Sequence, residues 1–240
     1  MRIFITGSTD GLGKLAATEL LEQGHEVVIH ARNEIRKRQI LEELPMAEQV
    51  VIADLADMEE TKQMAAELNA WGRFDTIIHN AGVYQTSKQT IFRVNCLAPY
   101  ILTCLMDRPQ RLIYISSGMH RSGSANLNQL SKGVTYSDSK LLLVMLTMAV
   151  ARKWPDVYIN AVNPGWVPTK MGGRNAPDNL QKGYETQVWL AVSDDPKVKT
   201  SGNYFFHKQQ TDYNAIVNDV GMQEQLLVSM EDLSGIPFPD

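Results

Sequence analysis

The sequence predicts an α/β fold, a doubly wound parallel sheet of about seven strands with helices on both faces, and three observations carry that prediction. Short apolar runs recur at RIFIT, EVVIH, QVVIA, DTIIHN, RLIYIS, VYINAV and NYFFH, rich in β-branched or aromatic residues and bounded by turn or polar residues. Between them lie windows of helical period, such as LGKLAATELLEQG and MEETKQMAAELNAWG. The two patterns alternate without linker or internal repeat, which places one domain over residues 1–240. The segment from Asn214 to Leu233 reads as a last helix, and the Pro-containing end beyond it is expected to fray.

Composition narrows the function classes. An apolar fraction of 44% and a charged fraction of 21% are those of a soluble globular protein with a sizeable core. A formal charge of -4 argues against nucleic acid or an anionic membrane as the main partner. Cys96 and Cys104, eight residues apart in one predicted helix, match neither a metal spacing nor a disulfide framework, and read as small buried hydrophobes. The five histidines show no metal spacing either, so no metal is expected; His120 is at most a pocket-wall candidate. The start MRIFITG enters a strand at once, without the long apolar stretch of a signal or anchor, and a cytoplasmic location follows as the expectation.

In such sheets ligands bind beyond the carboxyl ends of the strands, so the polar residues after each run are the ones to read. After the first strand comes TGSTDGLG, with Gly7, Gly11 and Gly13 opening a helix. Gly7 permits a tight turn, and Gly11 and Gly13 let backbone and helix approach a ligand that a side chain would block. The free N–H groups and dipole at the helix start favour a pyrophosphate. The second strand ends in HARN, placing Arg32 where an adenosine ribose would lie; arginine suits a 2′-phosphate, so NADP(H) is favoured over NAD(H). After the third strand, Asp54 could accept from an adenine amino group or cap a helix.

The stretch YSDSK, Tyr136 to Lys140, sets a phenol and an ammonium one helical turn apart on one face. A phenol ordinarily releases its proton near pH ~10, and a neighbouring cation would favour the phenolate. Ser117, at the end of the RLIYIS strand, could hydrogen-bond a substrate oxygen, with Ser116 as its neighbouring alternative; a strand-end serine also commonly caps the next segment.

Taken together these motifs resemble the short-chain dehydrogenase/reductase family, with its Rossmann-type sheet, and the resemblance spans nearly the whole chain. TGSTDGLG matches TGxxxGxG, HNAG at His79 to Gly82 matches NNAG, VNCLAP carries Asn95, ISSG carries Ser117, YSDSK matches YxxxK, and NPGWVPT matches the segment that embraces nicotinamide. The segment SGNYFFHK is similar to the retinol-dehydrogenase-like branch. The resemblance implies an NAD(P)(H)-dependent oxidoreductase that moves a hydride between cofactor and a carbonyl or alcohol. Asn95, Ser117, Tyr136 and Lys140 would be catalytic: Tyr136 the general acid or base, Ser117 holding the substrate oxygen, Lys140 lowering the phenol and gripping the nicotinamide ribose, Asn95 holding a water beside Lys140. Cofactor contacts would come from Gly7, Ser8, Thr9, Gly11, Leu12, Gly13, Arg32, Asp54, Leu55, Asn80, Ala81, Gly82, Tyr136, Lys140, Pro164, Gly165, Val167 and Thr169.

The departures matter as well. The stretch from Asn80 to Asn95 is shorter than the family usually has, and it normally helps build the subunit interface, so a homo-oligomer is left open beside the small-molecule partner. The stretch HRSGSANLNQLSKGVT is expected as a loop over the site, and the segment from Lys170 to Lys182 as a cover with glycines that allow opening. Trp166, Met171, Tyr184 and Trp189 read equally as pocket lining or core. The rival reading is a catalytically silent nucleotide sensor on the same fold, although a sensor has no chemical need for all four catalytic residues. An extended-branch sugar-nucleotide epimerase is disfavoured by length and by the TGxxxGxG spacing.

Overall fold

Along the first strand the sequence becomes two-faced at once: in β1 (Arg2–Ile5), Ile3 and Ile5 enter one core and Phe4 the other, all fully buried. The computed structural model describes residues 1–47 and 49–239. The elements follow in the order β1, α1 (Gly11–Glu22), β2 (Glu26–Ala31), α2 (Glu34–Glu43), β3 (Gln49–Ile52), α3 (Met58–Ala70), β4 (Thr76–His79), α4 (Lys88–Phe92), α5 (Ala98–Leu105) and β5 (Arg111–Ile115). Then come α6 (Tyr136–Lys153), β6 (Tyr158–Asn163), α7 (Leu180–Val192), β7 (Asn203–Phe206), β8 (Gln209–Gln210) and α8 (Val220–Ser234). The sheet runs β3-β2-β1-β4-β5-β6-β7-β8. β1 to β7 pair in parallel, and β8 turns back antiparallel on β7. All seven predicted runs form strands; β8, a pair of exposed glutamines, carries no apolar run that could announce it.

Helices cover both faces. Ala16 and Leu20 of α1, Ile40 of α2 and Val188 of α7 pack with Ile3, Ile29 and Ile113 on one side. On the other, Leu68 of α3, Ile101 of α5 and Leu226 of α8 surround α6 and meet Phe4, Val28 and Leu112. Every residue of α6 from Ser139 to Val150 is buried, so its long apolar run needs no polar face. Each buried Leu or Val there contributes roughly 1.5–3 kcal/mol. The helix starts where it does because Thr135 and Asp138 form a capping box: the Thr135 hydroxyl accepts the Asp138 N–H, and the Asp138 carboxylate accepts the Thr135 N–H.

Four expectations need correction. The helix holding both cysteines is not plain: α4 runs into α5 through a π-helical turn, Arg93–Leu97, centred on Asn95. The described end, through Pro239, is docked rather than frayed, because Tyr100 donates its phenol hydrogen to the Ile236 carbonyl (2.8 Å) and Phe238 packs on Trp154. The stretch after His120 does not roof the site. It folds against the start of α6, where Ser124 donates to Asp138 (2.7 Å), and Leu127 and Leu130 enter the core. Finally, Asp57 rather than Asp54 caps α3.

Candidate active site

The strand order reverses beside β1, between β1 and β4, which opens a crevice beyond the strand ends. Its floor is built by the first loop. Gly7 lies at φ +65°, and a Cβ there would come within 2.9 Å of the Ala81 Cα. The Gly7 N–H donates to His30 Nδ1 (2.8 Å), which leaves Nε2 to donate to the Ala53 carbonyl (2.9 Å). Burial holds this imidazole at a pKa of about 4, so His30 is a neutral strut under the loop. Ser8 lies behind the loop with its hydroxyl donated to the Ile5 carbonyl (2.8 Å) while accepting the His30 N–H (3.0 Å).

Gly13 also works inward rather than toward a ligand. A Cβ there would lie 2.3 Å from Asn80 Nδ2 and 2.6 Å from the Gly7 carbonyl. That space lets Asn80 donate to the carbonyls of Thr6 (3.0 Å) and Gly7 (3.2 Å), while Ala81 N–H donates to the Thr6 hydroxyl (3.0 Å). The HNAG segment thereby locks onto the glycine loop. Gly11, at φ +55°, meets nothing nearer than the Thr169 side chain at 3.8 Å, and leaves open backbone at the start of α1.

The resulting cleft, about 420 Å³, is lined by fourteen of the predicted cofactor residues: Gly7, Thr9, Gly11, Leu12, Arg32, Asp54, Leu55, Asn80, Ala81, Gly82, Tyr136, Lys140, Pro164 and Thr169. Exposed Arg32 stands at the end of β2, and Asp54 turns its carboxylate onto the Ala56 N–H (2.9 Å). Ser117, Gly165 and Val167 line a second cavity of about 690 Å³ instead. Tyr136 borders both. Ser8, Gly13 and Asn95 face neither.

The four predicted catalytic residues converge from three elements. Lys140 is only 3% exposed and donates from Nζ to the Ile115 carbonyl (2.8 Å), 5.6 Å from the centre of the Tyr136 ring. Burial lowers its ammonium to about 8. Burial pushes the Tyr136 phenol up to about 12, against the pull of the neighbouring Ser117 side chain. Ser117 accepts the Met119 N–H (3.2 Å) and faces the second cavity. Ser116, which lines both cavities, spends its hydroxyl hydrogen on the Lys140 carbonyl (2.9 Å).

Asn95 ties two segments together. Its side chain accepts the Val83 N–H (2.8 Å) and donates to the Val83 carbonyl and to the Ser139 hydroxyl (both 3.0 Å), clamping the segment after HNAG to α6. His120, read as pocket wall, lies instead behind Ser117 and is fully buried. Its Nε2 accepts the Asn214 N–H (3.2 Å), so Nδ1 donates to the Ser117 carbonyl (2.8 Å). Trp166 and Met171 line the second cavity, whereas Tyr184 and Trp189 pack against the core that holds Ile3, Ile29 and Ile113. At the start of the predicted cover Lys170 forms an exposed ion pair with Asp10.

A doubly wound sheet, a glycine loop at its switch point and a Tyr–Lys–Ser group with its lysine buried define a nucleotide-dependent oxidoreductase architecture. The profile described as short chain dehydrogenase matches residues 1–180. An uncharacterized oxidoreductase of Emericella nidulans is 41% identical, over 100% of this chain and 99% of that protein. Retinol dehydrogenase 14 of Mus musculus is 28% identical, over 85% of this chain and 76% of its own length. A short chain dehydrogenase from Escherichia coli CFT073 complexed with NADPH superposes with a TM-score of 0.68 at 26% identity, over 87% of this chain and 96% of that one. The chain belongs to the short-chain dehydrogenase family and is an oxidoreductase with retinol-dehydrogenase-like relatives. Among the described residues no helix is long and apolar enough to cross a membrane.

Proposed function

We propose that the protein is an NADP(H)-dependent carbonyl reductase, or alcohol dehydrogenase in reverse, in which Tyr136 moves the proton. The observation that carries this reading is that Tyr136 stands at the junction of the two cavities, bordered by Ser117 on one side and Lys140 on the other. The first cavity fits a dinucleotide: open backbone at Gly11, the N-terminus of α1, and a cation, Arg32, at the end of β2 where a 2′-phosphate would need one. NADPH, when bound, supplies the hydride.

The chain's own residues supply the rest. The Ser117 and Tyr136 hydroxyls converge on the substrate side, where they would hold a carbonyl oxygen and stabilise the charge that develops on it. A phenol pushed up to about 12 stays protonated at neutral pH, and the alkoxide formed by reduction is a stronger base, so proton transfer from Tyr136 is downhill. In the reverse direction Tyr136 must lose that proton. The nearby Lys140 ammonium, directed by the Ile115 carbonyl toward the cofactor cleft beside Gly82, would favour its departure.

An NADPH-oxidation screen over aldehydes and ketones tests activity and cofactor together. Arg32→Ala should weaken NADPH by about tenfold or more through loss of a charge-assisted contact worth roughly 1.5–3 kcal/mol, and leave NADH nearly unchanged. Equal losses for both cofactors would remove Arg32 from the 2′-phosphate site.

A further inference from the structure

The second cavity has a chemical character that narrows the substrate, and the narrowing rests on the reading of Tyr136 as proton donor. Twelve large hydrophobic side chains are exposed across the described residues, and four of them, Tyr84, Met119, Trp166 and Met171, surround this one opening. Scattered exposed hydrophobes are ordinary; their convergence on a single mouth is not. Trp166 is 60% exposed, yet it is not loose. Its indole N–H donates to the Gly172 carbonyl (2.7 Å), its backbone N–H donates to Asp178 Oδ2 (2.6 Å), and the Asp178 N–H returns to its carbonyl (3.0 Å). Gly172 makes the fold of this segment possible, because a Cβ there would lie 2.1 Å from the Val167 carbonyl oxygen. The indole is therefore held in a fixed plane before anything covers it.

On the other side, the Tyr84 ring meets the Tyr136 ring edge-on, with centroids 4.8 Å apart and planes at 62°. A flat surface thus adjoins the hydroxyl that would protonate the substrate. The charge around the cavity is equally selective. Its lining contains no Lys, Arg or His, and its one carboxylate, Asp178, is engaged by the Trp166 backbone. A carboxylate or phosphate on the substrate would be desolvated there without a partner. Pro164, Gly165, Val167 and Thr169 give one end of this cavity of about 690 Å³ to the nicotinamide, and the end beside Tyr84 and Trp166 is left for a substrate ring system.

We propose that this cavity takes an uncharged ketone or aldehyde whose carbonyl is carried on a flat aromatic ring system lying against Tyr84 and Trp166. Acetylnaphthalene, its saturated analogue acetyldecalin and its ring-carboxylated derivative separate the three features of that statement. Conjugation makes the aryl ketone less electrophilic than the saturated one, so an aryl preference has to come from binding.

With NADPH in excess, kcat/KM for acetylnaphthalene should exceed that for acetyldecalin by about tenfold and that for the carboxylate by at least as much, the scale of one good aromatic contact or one unpaired charge. Trp166→Leu and Tyr84→Leu should each lower the ratio of kcat/KM for acetylnaphthalene to that for acetyldecalin several-fold, whatever loss the two ketones share. Equal use of the saturated or carboxylated ketone, or equal losses on both neutral ketones in the variants, would overturn the inference and leave the reductase reading standing. Failure of every carbonyl compound in the broader screen to consume NADPH would overturn both.

Discussion

Lys140 gives the sharpest quantitative test, because the property that suits it to the site also costs the fold. Its ammonium is 3% exposed and is lowered from 10.5 to about 8 by burial. At about 1.4 kcal/mol for each pH unit, that difference is a destabilisation of roughly 3 kcal/mol. Lys140→Met removes the charge at similar volume but leaves the Ile115 carbonyl without its donor, a loss of about 1 kcal/mol. The ligand-free variant should therefore be about 2 kcal/mol more stable than the parent at pH 7, a rise in Tm of about 4–8 °C. Because the folded pKa lies below the unfolded one, the unfolded chain binds more protons between about pH 8 and 10.5, and the parent gains stability as pH rises through that window. The variant's advantage should shrink over the same interval and vanish by its upper end. Urea unfolding of both proteins at pH 7 and at pH 10 reads the difference, with tyrosine titration common to the two. A variant less stable than the parent at pH 7, or a difference that does not change with pH, would refute the reasoning.

Two further outcomes follow from the packing around the site. Gly13→Ala places a methyl 2.3 Å from Asn80 Nδ2 and 2.6 Å from a backbone carbonyl, and should destabilise the protein by about 1–3 kcal/mol in thermal unfolding while weakening NADPH; an unchanged Tm would show that the HNAG lock is not needed. His120→Leu strips the donor from the Ser117 carbonyl and the acceptor from the Asn214 N–H, both at a fully buried ring, and should cost about 2–4 kcal/mol in urea unfolding. It should also lower kcat/KM about tenfold with NADPH affinity held. Loss of stability without loss of kcat/KM would make His120 structural only.

What the sequence revealed, and what it concealed, divides along physical lines. The seven parallel strands are buried on both faces, so each appears as a continuous apolar run, and the glycine loop is visible because only glycine permits Gly7 its positive φ beside Ala81. Tyr136 and Lys140 were legible because helical spacing alone puts them on one face. The rest depends on contacts between residues far apart in the chain. Asn95 clamping Val83 and Ser139, Gly13 making room for Asn80, and His120 bridging Ser117 to Asn214 have no local signature. The docked end was misread for the same reason: what holds Ile236 is a phenol 136 residues away. The rise in the Tyr136 pKa was hidden too, since spacing brings the lysine near but does not show how far the fold buries the phenol.

The most direct test of the central claim is Tyr136→Phe, assayed for NADPH consumption with whichever carbonyl compound the parent reduces best, beside a measurement of NADPH affinity. The account predicts that turnover falls by about a thousandfold or more while the Kd for NADPH stays within about threefold, because the lost group is a hydroxyl at the edge of the cofactor cleft and the proton donor of the other. Turnover within about tenfold of the parent would contradict it.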